Sequence, residues 1–518
     1  MAVHDLAAAE KALAAGDFQR GETLLRRILV SAPRNARALE LMAYVRARRG
    51  DAEGSLERLI AATQLPGATA SAWYALGVAH RQSGDFARAR GAFEASAARD
   101  PAFFPAHHDL GTLLTEQGRA KEGLAALEHA RALAPNSFEA HHNRGRALQA
   151  LGRHAEALEA FDTALAIQPL SAASRSCRGE ALCELRRYPE ALADFAAAVE
   201  IAPGYEDALW NEALTRLLLG EFEAGWDLYE YRFRGARAWP RKHTDIPAWD
   251  GRSDVRGKRV LVWWEQGFGD TLHFCRYIPL LVQRGAHVIF EAQRPLAGLM
   301  RSLEGGATVV PSGDELPAAD LQVPLLTLPR AFATRLATIP AQVPYLRADP
   351  ARVSRWEKRL ALGPGRHIAV ASSGNLAQKD NVTRSMALES LAPLARMATL
   401  HVVQPDVRPE DRDFARASEG RVRLYDEAIE DFDDSAAIVS LVDAVVTVDT
   451  ALAHLAGALA RPTWILMPWA PTWRWLVDRE DTPWYPTARL VRQKNPGDWS
   501  ESVARVVAEL AAQGAPVP

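Results

Sequence analysis

The chain has 518 residues, 48% of them hydrophobic and 24% charged, with a formal net charge of −3. That length exceeds one ordinary core, so two to four domains are expected, and near-neutrality gives no global attraction to nucleic acid or an anionic membrane. The three cysteines, Cys177, Cys183 and Cys275, are an odd set without metal-ligand spacing, which points to small buried hydrophobes in a reducing compartment.

The first residues, "MAVHDLAAAEKALAAGDF", lack a basic region followed by an apolar core, so no secretion signal is read. The most apolar late stretch is broken by Asp443, Asp449, His454 and Arg461, so no membrane span is expected. A cytoplasmic protein without membrane insertion or nucleic-acid partner follows as the expectation. The first half then repeats itself. Gly16, Gly50, Gly84, Gly118, Gly152 and Gly220 fall on one 34-residue grid, with Arg186 at the missing node. Pro101, Pro135, Pro169 and Pro203 keep the same interval, as do Phe93, Phe161 and Phe195 in part. The stretch "AWYALGVAHRQSGDFARARGAFEASAARDP" sets the order Trp73, Leu76, Gly77, His80, Gly84, Ala89, Phe93, Pro101, which closely resembles the tetratricopeptide repeat (TPR). Six or so helix pairs over residues 1–234 would stack into a superhelix with a concave binding face. The phenylalanines read as packing residues. His107, His108, His141 and His142 recur at equivalent positions and can line the groove; a metal site there is disfavoured because helix neighbours face different ways.

The passage "GEFEAGWDLYEYRFRGARAWPRKHTDIPAWDG" begins as a last repeat and ends as a proline- and aromatic-bearing connector. From Lys258 the periodicity changes. The runs "RVLVWW", "HVIFEA", "ATVVP", "HIAVASS", "LHVVQ", "RVRLY", "AVVTVD" and "TWILMP" read as strands alternating with helices. That alternation predicts parallel sheets with right-handed crossovers, in two Rossmann-like α/β blocks, 235–350 and 351–518. Two such blocks facing each other would leave a cleft at the carboxyl ends of their strands.

Two stretches carry chemistry. In "AVVTVDTALAHLAGALARPTWILMP" a strand ends at Asp449, Thr450 follows in a cap-like place, and a small-residue helix begins. The amides of Ala451, Leu452 and Ala453 would face out of the helix start, where a diphosphate can bind; the plainer alternative is that Asp449 and Thr450 only cap the helix. In "LVWWEQGFGDTLHFCRYIPLL" an apolar run passes through Gly267, Gly269 and Asp270 into a helix. The next glycine of a dinucleotide fingerprint is absent, so the loop is not assigned to a dinucleotide.

Together these stretches resemble the heptosyltransferase-like group of GT-B glycosyltransferases. The Asp-Thr-x-x-x-His-Leu helix start at Asp449–Leu455 carries one half of the likeness and the Gly269-Asp270 pair the other, with "SSGNLAQKDNVTRSMAL" similar to the loop after the first strand of the donor domain. With the repeats, the likeness extends over nearly the whole chain to protein O-glycosyltransferases, and most closely to repeat-bearing bacterial flagellin glycosyltransferases. The first α/β block is short for a GT-B acceptor domain, which suggests that the repeats supply part of acceptor binding.

The resemblance implies that Asp270 is the base that takes the acceptor hydroxyl's proton, with His273 one helical turn on as a second candidate. Capping of its own helix is the competing account of Asp270. Gly267 and Gly269 would let backbone approach the substrates. Lys379 and Arg384 would meet the charge of the leaving phosphate, with Thr450, Ala451 and His454 beside them; surface solvation is the alternative for Lys379. Asp449 would contact ribose or a sugar hydroxyl, and Gly374 and Asn375 would shape the same loop. The group characteristically uses cations and helix amides in place of a metal, so neither cofactor nor metal is expected beyond the nucleotide-sugar donor. Trp469, Trp473, Trp475 and Trp484 read as packing residues, or as a seat for a base or sugar.

The expectation is therefore a protein O-glycosyltransferase: the TPR array holds a polypeptide, and the GT-B pair moves a sugar to its Ser or Thr hydroxyls. The architecture suggests flagellin as acceptor and a nonulosonic acid such as pseudaminic acid, from its CMP donor, as the sugar. The alternatives are transfer to lipopolysaccharide core and a non-catalytic repeat scaffold with a degenerate transferase.

Overall fold

The computed structural model describes residues 2–235, 238–374 and 381–513, and the chain divides into two compact units, 1–203 and 204–518. Among the sequence-derived candidates, Asn375 and Lys379 lie outside the described residues.

The first unit is helical throughout, from Ala2–Ala14 to Tyr188–Ile201, in six hairpins. The glycine grid is the turn inside each hairpin. Gly16, Gly50, Gly84, Gly118 and Gly152 take φ between 71° and 81°, and Arg186 takes the same left-handed conformation at 58°. Only glycine adopts that region without cost, so the arginine node is the strained one. The residue after each node starts the next helix in one of two ways. Asp17, Asp51 and Asp85 accept the N–H of Arg20, Gly54 and Arg88. Arg119, Arg153 and Arg187 instead pair with Glu122, Glu156 and Glu190 in the first turn.

Packing within a repeat rests on glycine and phenylalanine. A Cβ on Gly77, Gly145 or Gly179 would stand 2.5 Å from the ring of Phe93, Phe161 or Phe195. Those rings are 0% exposed, each contributing about 1.5–3 kcal/mol by burial. The repeated histidines are engaged with their neighbours. His141 bonds the Pro135 carbonyl, His142 the Ser174 hydroxyl, and His108 both Asp109 and Asn143.

The second unit opens with a seventh hairpin, Glu206–Leu218 and Phe222–Tyr229, ending in a 3-10 turn at Glu230–Phe233. The expected seam after residue 234 thus falls inside this unit. Trp226 donates its indole N–H to the Thr334 carbonyl at 3.1 Å, and its ring meets Phe274 and Trp473. The hairpin is packed against both α/β lobes that follow it.

The first lobe is a four-stranded parallel sheet: β1 (Arg259–Trp263), β2 (His287–Ala292), β3 (Thr308–Pro311) and β4 (Leu321–Pro324), in the order β3-β2-β1-β4. The second is a six-stranded parallel sheet: β5 (Arg366–Ala371), β6 (Ala398–Val402), β7 (Val422–Leu424), β8 (Ala444–Val448), β9 (Thr463–Met467) and β10 (Ala488–Arg492), in the order β10-β9-β8-β5-β6-β7. Counted from its own first strand, the second sheet runs 3-2-1-4-5-6, the doubly wound order, and reverses between β5 and β8. The first lobe reverses between β1 and β4. Continuous apolar runs explain why these strands lie inside: β8 and β9 are buried at every residue. The eight anticipated strands are all present. β4 and β10 were not anticipated. Among the described residues no helix is long and apolar enough to cross a membrane.

Candidate functional site

In a doubly wound sheet, ligands meet the loops that leave the strands at the reversal point. In the first lobe the loop after β1 is "EQGFGD", leading to the helix Phe268–Phe274; in the second the loops after β5 and β8 carry Ser372–Gly374 and Asp449–Thr450. These loops converge. The helix Phe268–Phe274 lies so close to the helix Ala451–Ala458 that a Cβ on Gly269 would be 3.0 Å from His454 Cδ2 and 3.6 Å from the Ala451 Cα. Gly269 is needed for that approach; its backbone φ is not of the left-handed kind.

Asp270 is not the N-cap residue of its helix. Gly267 takes that place, and Asp270 at the third helical position reaches back to accept the Gly267 N–H on Oδ2 at 3.0 Å. Its Oδ1 accepts from Arg474 Nη2, in an ion pair whose side chains are 14% and 13% exposed. Burial alone would lower the Arg474 pKa, but Asp270 first, then Tyr229 and Asp449, hold it above its ordinary value. The guanidinium also lies over the Trp473 ring, 4.4 Å from its centroid. Sequence reading missed Arg474. It sits in a tryptophan-rich loop after β9, and its partner is 204 residues away.

The loop before Asp270 is anchored from the seventh hairpin. Glu265 takes two hydrogen bonds from Arg232, at 2.8 and 2.9 Å, and a third from the Leu326 N–H, with both side chains essentially out of solvent. Gln266, in the left-handed region at φ 62°, is held by Tyr229, to whose hydroxyl its amide donates at 3.2 Å. Neither the Arg232–Glu265 pair nor Gln266 was singled out from sequence.

His273, the second candidate base, is fully buried and offers no exposed atom to a hydroxyl in this structure. It packs on Phe274 and Trp484, and its Nδ1 lies 3.2 Å from His454 Nδ1, which is also 3.0 Å from the Tyr485 hydroxyl. The Tyr345 hydroxyl donates at 2.8 Å to the Leu272 carbonyl. His454 Nδ1 meets both the His273 ring and the Tyr485 hydroxyl, while its Nε2 lies on the side of Gly269. Burial first, then neighbouring positive charge, holds both imidazoles well below the ordinary histidine pKa, so both are neutral. For His454 that charge comes from Arg474, Arg276 and Arg384, which places Arg384 in the field of the site. His454 also stacks on Trp475 at 5.1 Å.

At the start of the helix Ala451–Ala458 no side chain caps the amides, although the Ala453 N–H donates to the Thr450 carbonyl at 3.1 Å. Thr450 Oγ1 pairs instead with Thr447 Oγ1 at 3.0 Å, and Asp449 Oδ2 accepts the Thr472 hydroxyl at 3.0 Å. The capping alternative for these two residues is therefore not what the side chains do. Ser372, at the end of β5, is fully buried with no partner for its hydroxyl among the described residues. Gly374 follows it, half-buried. Trp473, Trp475 and Trp484 are buried and pack, whereas Trp469 is half-buried, its N–H donating to Gln493. Among the described residues no group of three or more His, Cys, Asp or Glu is placed to hold a metal ion.

Comparison with known proteins adds to this geometry. The tetratricopeptide repeat family matches residues 6–57, 70–103, 104–169 and 142–206. The chain is similar to protein FlbA of Caulobacter vibrioides, 27% identical over 325 residues covering 58% of this chain and 54% of FlbA, so it spans about half the length of that relative. Among solved structures it is similar to YrrB, described as a TPR protein with an unusual peptide-binding site, at 23% identity and a TM-score of 0.35, over 37% of this chain and 98% of YrrB. It is likewise similar to MamA from residue 41 onward of Desulfovibrio magneticus, at 22% identity and a TM-score of 0.31, over 33% and 96%. Between residues 6 and 206, then, the chain is built of tetratricopeptide repeats.

Proposed function

We propose that the chain is a glycosyltransferase of GT-B organisation that moves a sugar from a nucleotide donor to Ser or Thr hydroxyls of a polypeptide recruited by the repeats. One observation carries this reading. The Asp270 loop and the uncapped Ala451–Ala458 helix start, each at the reversal point of its own parallel sheet, are packed together through Gly269. A carboxylate thereby stands beside an anion-binding helix start, the pairing that transfer from a phosphate leaving group needs. In the proposed step the acceptor oxygen bonds to the anomeric carbon as the carbon–phosphate-oxygen bond breaks. The proton passes to Asp270, and the leaving phosphate is met by the helix amides, Arg384 and the His454 imidazole. TPR arrays generally bind polypeptides, and the likeness to bacterial flagellin glycosyltransferases makes flagellin the proposed acceptor, with a CMP-activated nonulosonic acid as donor. Intact-mass measurement of flagellin from cells with and without this protein tests the proposal. The expected result is loss of discrete sugar increments in the deletion strain, and an unchanged mass refutes flagellin as acceptor. Calorimetric titration of nucleotides in EDTA tests the donor half; binding that appears only with divalent metal would refute the metal-free site.

A further inference from the structure

We infer that Arg474 is a transferable cation: paired with Asp270 in this structure, it is drawn off by the phosphate of the nucleotide, so that donor binding frees the carboxylate. The inference rests on the proposed nucleotide site and adds a residue and a coupling to it. Its basis is a conflict of roles on one carboxylate. Asp270 accepts a hydrogen bond on each oxygen, from the Gly267 N–H and from Arg474. With each oxygen already accepting a hydrogen bond and a guanidinium in contact, the carboxylate is held in an ion pair that competes with a substrate hydroxyl for it. The Gly267 bond belongs to the helix start and stays. The Arg474 bond is the one that can be exchanged, because the guanidinium stands in a short 3-10 turn, Trp473–Trp475, on the second lobe, whereas Asp270 stands on the first.

Arg474 already serves more than one anion. Asp449 acts on it electrostatically from the end of β8, immediately before the Thr450 helix start. Asp449 itself is tied to the same loop through Thr472. A phosphate at that helix start would therefore arrive beside Asp449, within the field of Arg474, whose guanidinium can give it a bidentate pair. A phosphate offers more acceptor oxygens than the Asp270 carboxylate, which favours the exchange. The stack on Trp473 lets the guanidinium plane turn without losing its aromatic contact.

The two roles of Arg474, anion receptor and structural tie between the lobes, predict opposite effects of neutralising Asp270. If the carboxylate competes with phosphate for the cation, Asp270→Asn tightens nucleotide binding; if Arg474 only ties the lobes, it does not. The experiment is calorimetric titration of the full-length protein with CMP, CDP, UDP and GDP, for the wild type, Asp270→Asn, Arg474→Gln, Arg474→Lys and the Asp270→Asn/Arg474→Gln double variant. Thermal unfolding of each preparation is followed alongside. For the tightest nucleotide, Asp270→Asn is expected to improve affinity roughly tenfold and Arg474→Gln to weaken it by a similar factor. Arg474→Lys should fall between, and carries the comparison if the Gln variant does not fold. The double variant should bind like Arg474→Gln alone, because the gain depends on the cation being there to release. Unchanged affinity in Asp270→Asn, or a gain that persists without Arg474, overturns the inference while leaving the nucleotide site standing. A wild type that binds none of the four nucleotides overturns the site and the inference together.

Discussion

Deleting residues 1–234 should unfold the α/β region, whereas deleting 1–203 should leave it folded, although both cuts look like removal of the repeats. The difference is the hairpin from Glu206 to Tyr229 and the turn after it. Phe222, Trp226 and Tyr229 are 2%, 2% and 1% exposed, and at about 1.5–3 kcal/mol for each buried side chain their loss removes about 5–9 kcal/mol. Removal of Arg232 leaves Glu265, 2% exposed at its side chain, as a buried carboxylate without its cation, a further cost of about 3–5 kcal/mol. The sum is comparable with the about 5–15 kcal/mol that holds a whole domain together. The assay is urea unfolding of fragments 204–518 and 235–518, followed by tryptophan fluorescence and near-ultraviolet circular dichroism. Fragment 204–518 should unfold cooperatively, and 235–518 should show no folded baseline. Equal unfolding midpoints would refute the reasoning. A full-length check avoids fragments altogether: Arg232→Met should destabilise by about 3–5 kcal/mol, and the added change Glu265→Leu should recover part of that loss.

Other perturbations test the packing and the buried histidines. Gly269→Ala places a methyl 3.0 Å from His454, whose ring is held by Tyr485 and Trp475 and cannot retreat, so a loss of about 1–3 kcal/mol is expected in chemical denaturation. Gly91→Ala, where the new methyl meets nothing within 4 Å on a helix surface, should instead stabilise by about 0.5–1 kcal/mol. Burial pushes the His401 pKa down to about 3, from an unfolded value of about 6.5, so its contribution is complete above pH 6.5 and is lost as pH falls toward 3. Unfolding free energy should drop by about 2 kcal/mol between pH 7 and pH 5 from this group alone, and His401→Gln should flatten that part of the profile. A variant with the full wild-type slope would remove His401 as the cause.

What the sequence discloses and what it withholds divide along the distance between partners. The repeat grid is legible because each glycine and its phenylalanine belong to one hairpin, so a fixed spacing reports a local contact. Arg186 shows that even an exception on the grid keeps the left-handed turn that the glycines mark. Strands such as β8 and β9 are legible because burial on both faces requires unbroken apolar runs. β4 is hidden by its brevity and by Pro324 at its end, and β10 by the arginines at both ends of "ARLVR". In the site, Asp270, Thr450 and His454 stand in stretches whose own pattern draws notice. Arg474 and Arg232 do not, since the carboxylate each one anchors, Asp270 or Glu265, is distant in sequence. Gly269 is intermediate: the residue is conspicuous, but its reason is His454 on the other lobe.

The seventh hairpin gives the clearest physical reason for fusing repeats to this kind of site. A solenoid's last repeat ordinarily needs a polar outer face, because no further repeat covers it. Here that hairpin carries Phe222, Trp226 and Tyr229 instead, and the α/β lobes bury them: Phe222 lies against Trp484, and Trp226 and Tyr229 against Trp473. Tyr229 and Arg232 then reach past that apolar contact to Gln266 and Glu265, the two residues that immediately precede Gly267. Gln266 holds a left-handed backbone that a side-chain-bearing residue adopts only when its surroundings enforce it, and the surroundings that do so here belong to the hairpin. The orientation of the Asp270 loop is thus set by the last repeat as much as by the sheet beneath it. That is why the boundary of the second folded unit lies at residue 204, one hairpin earlier than the change in periodicity marks it.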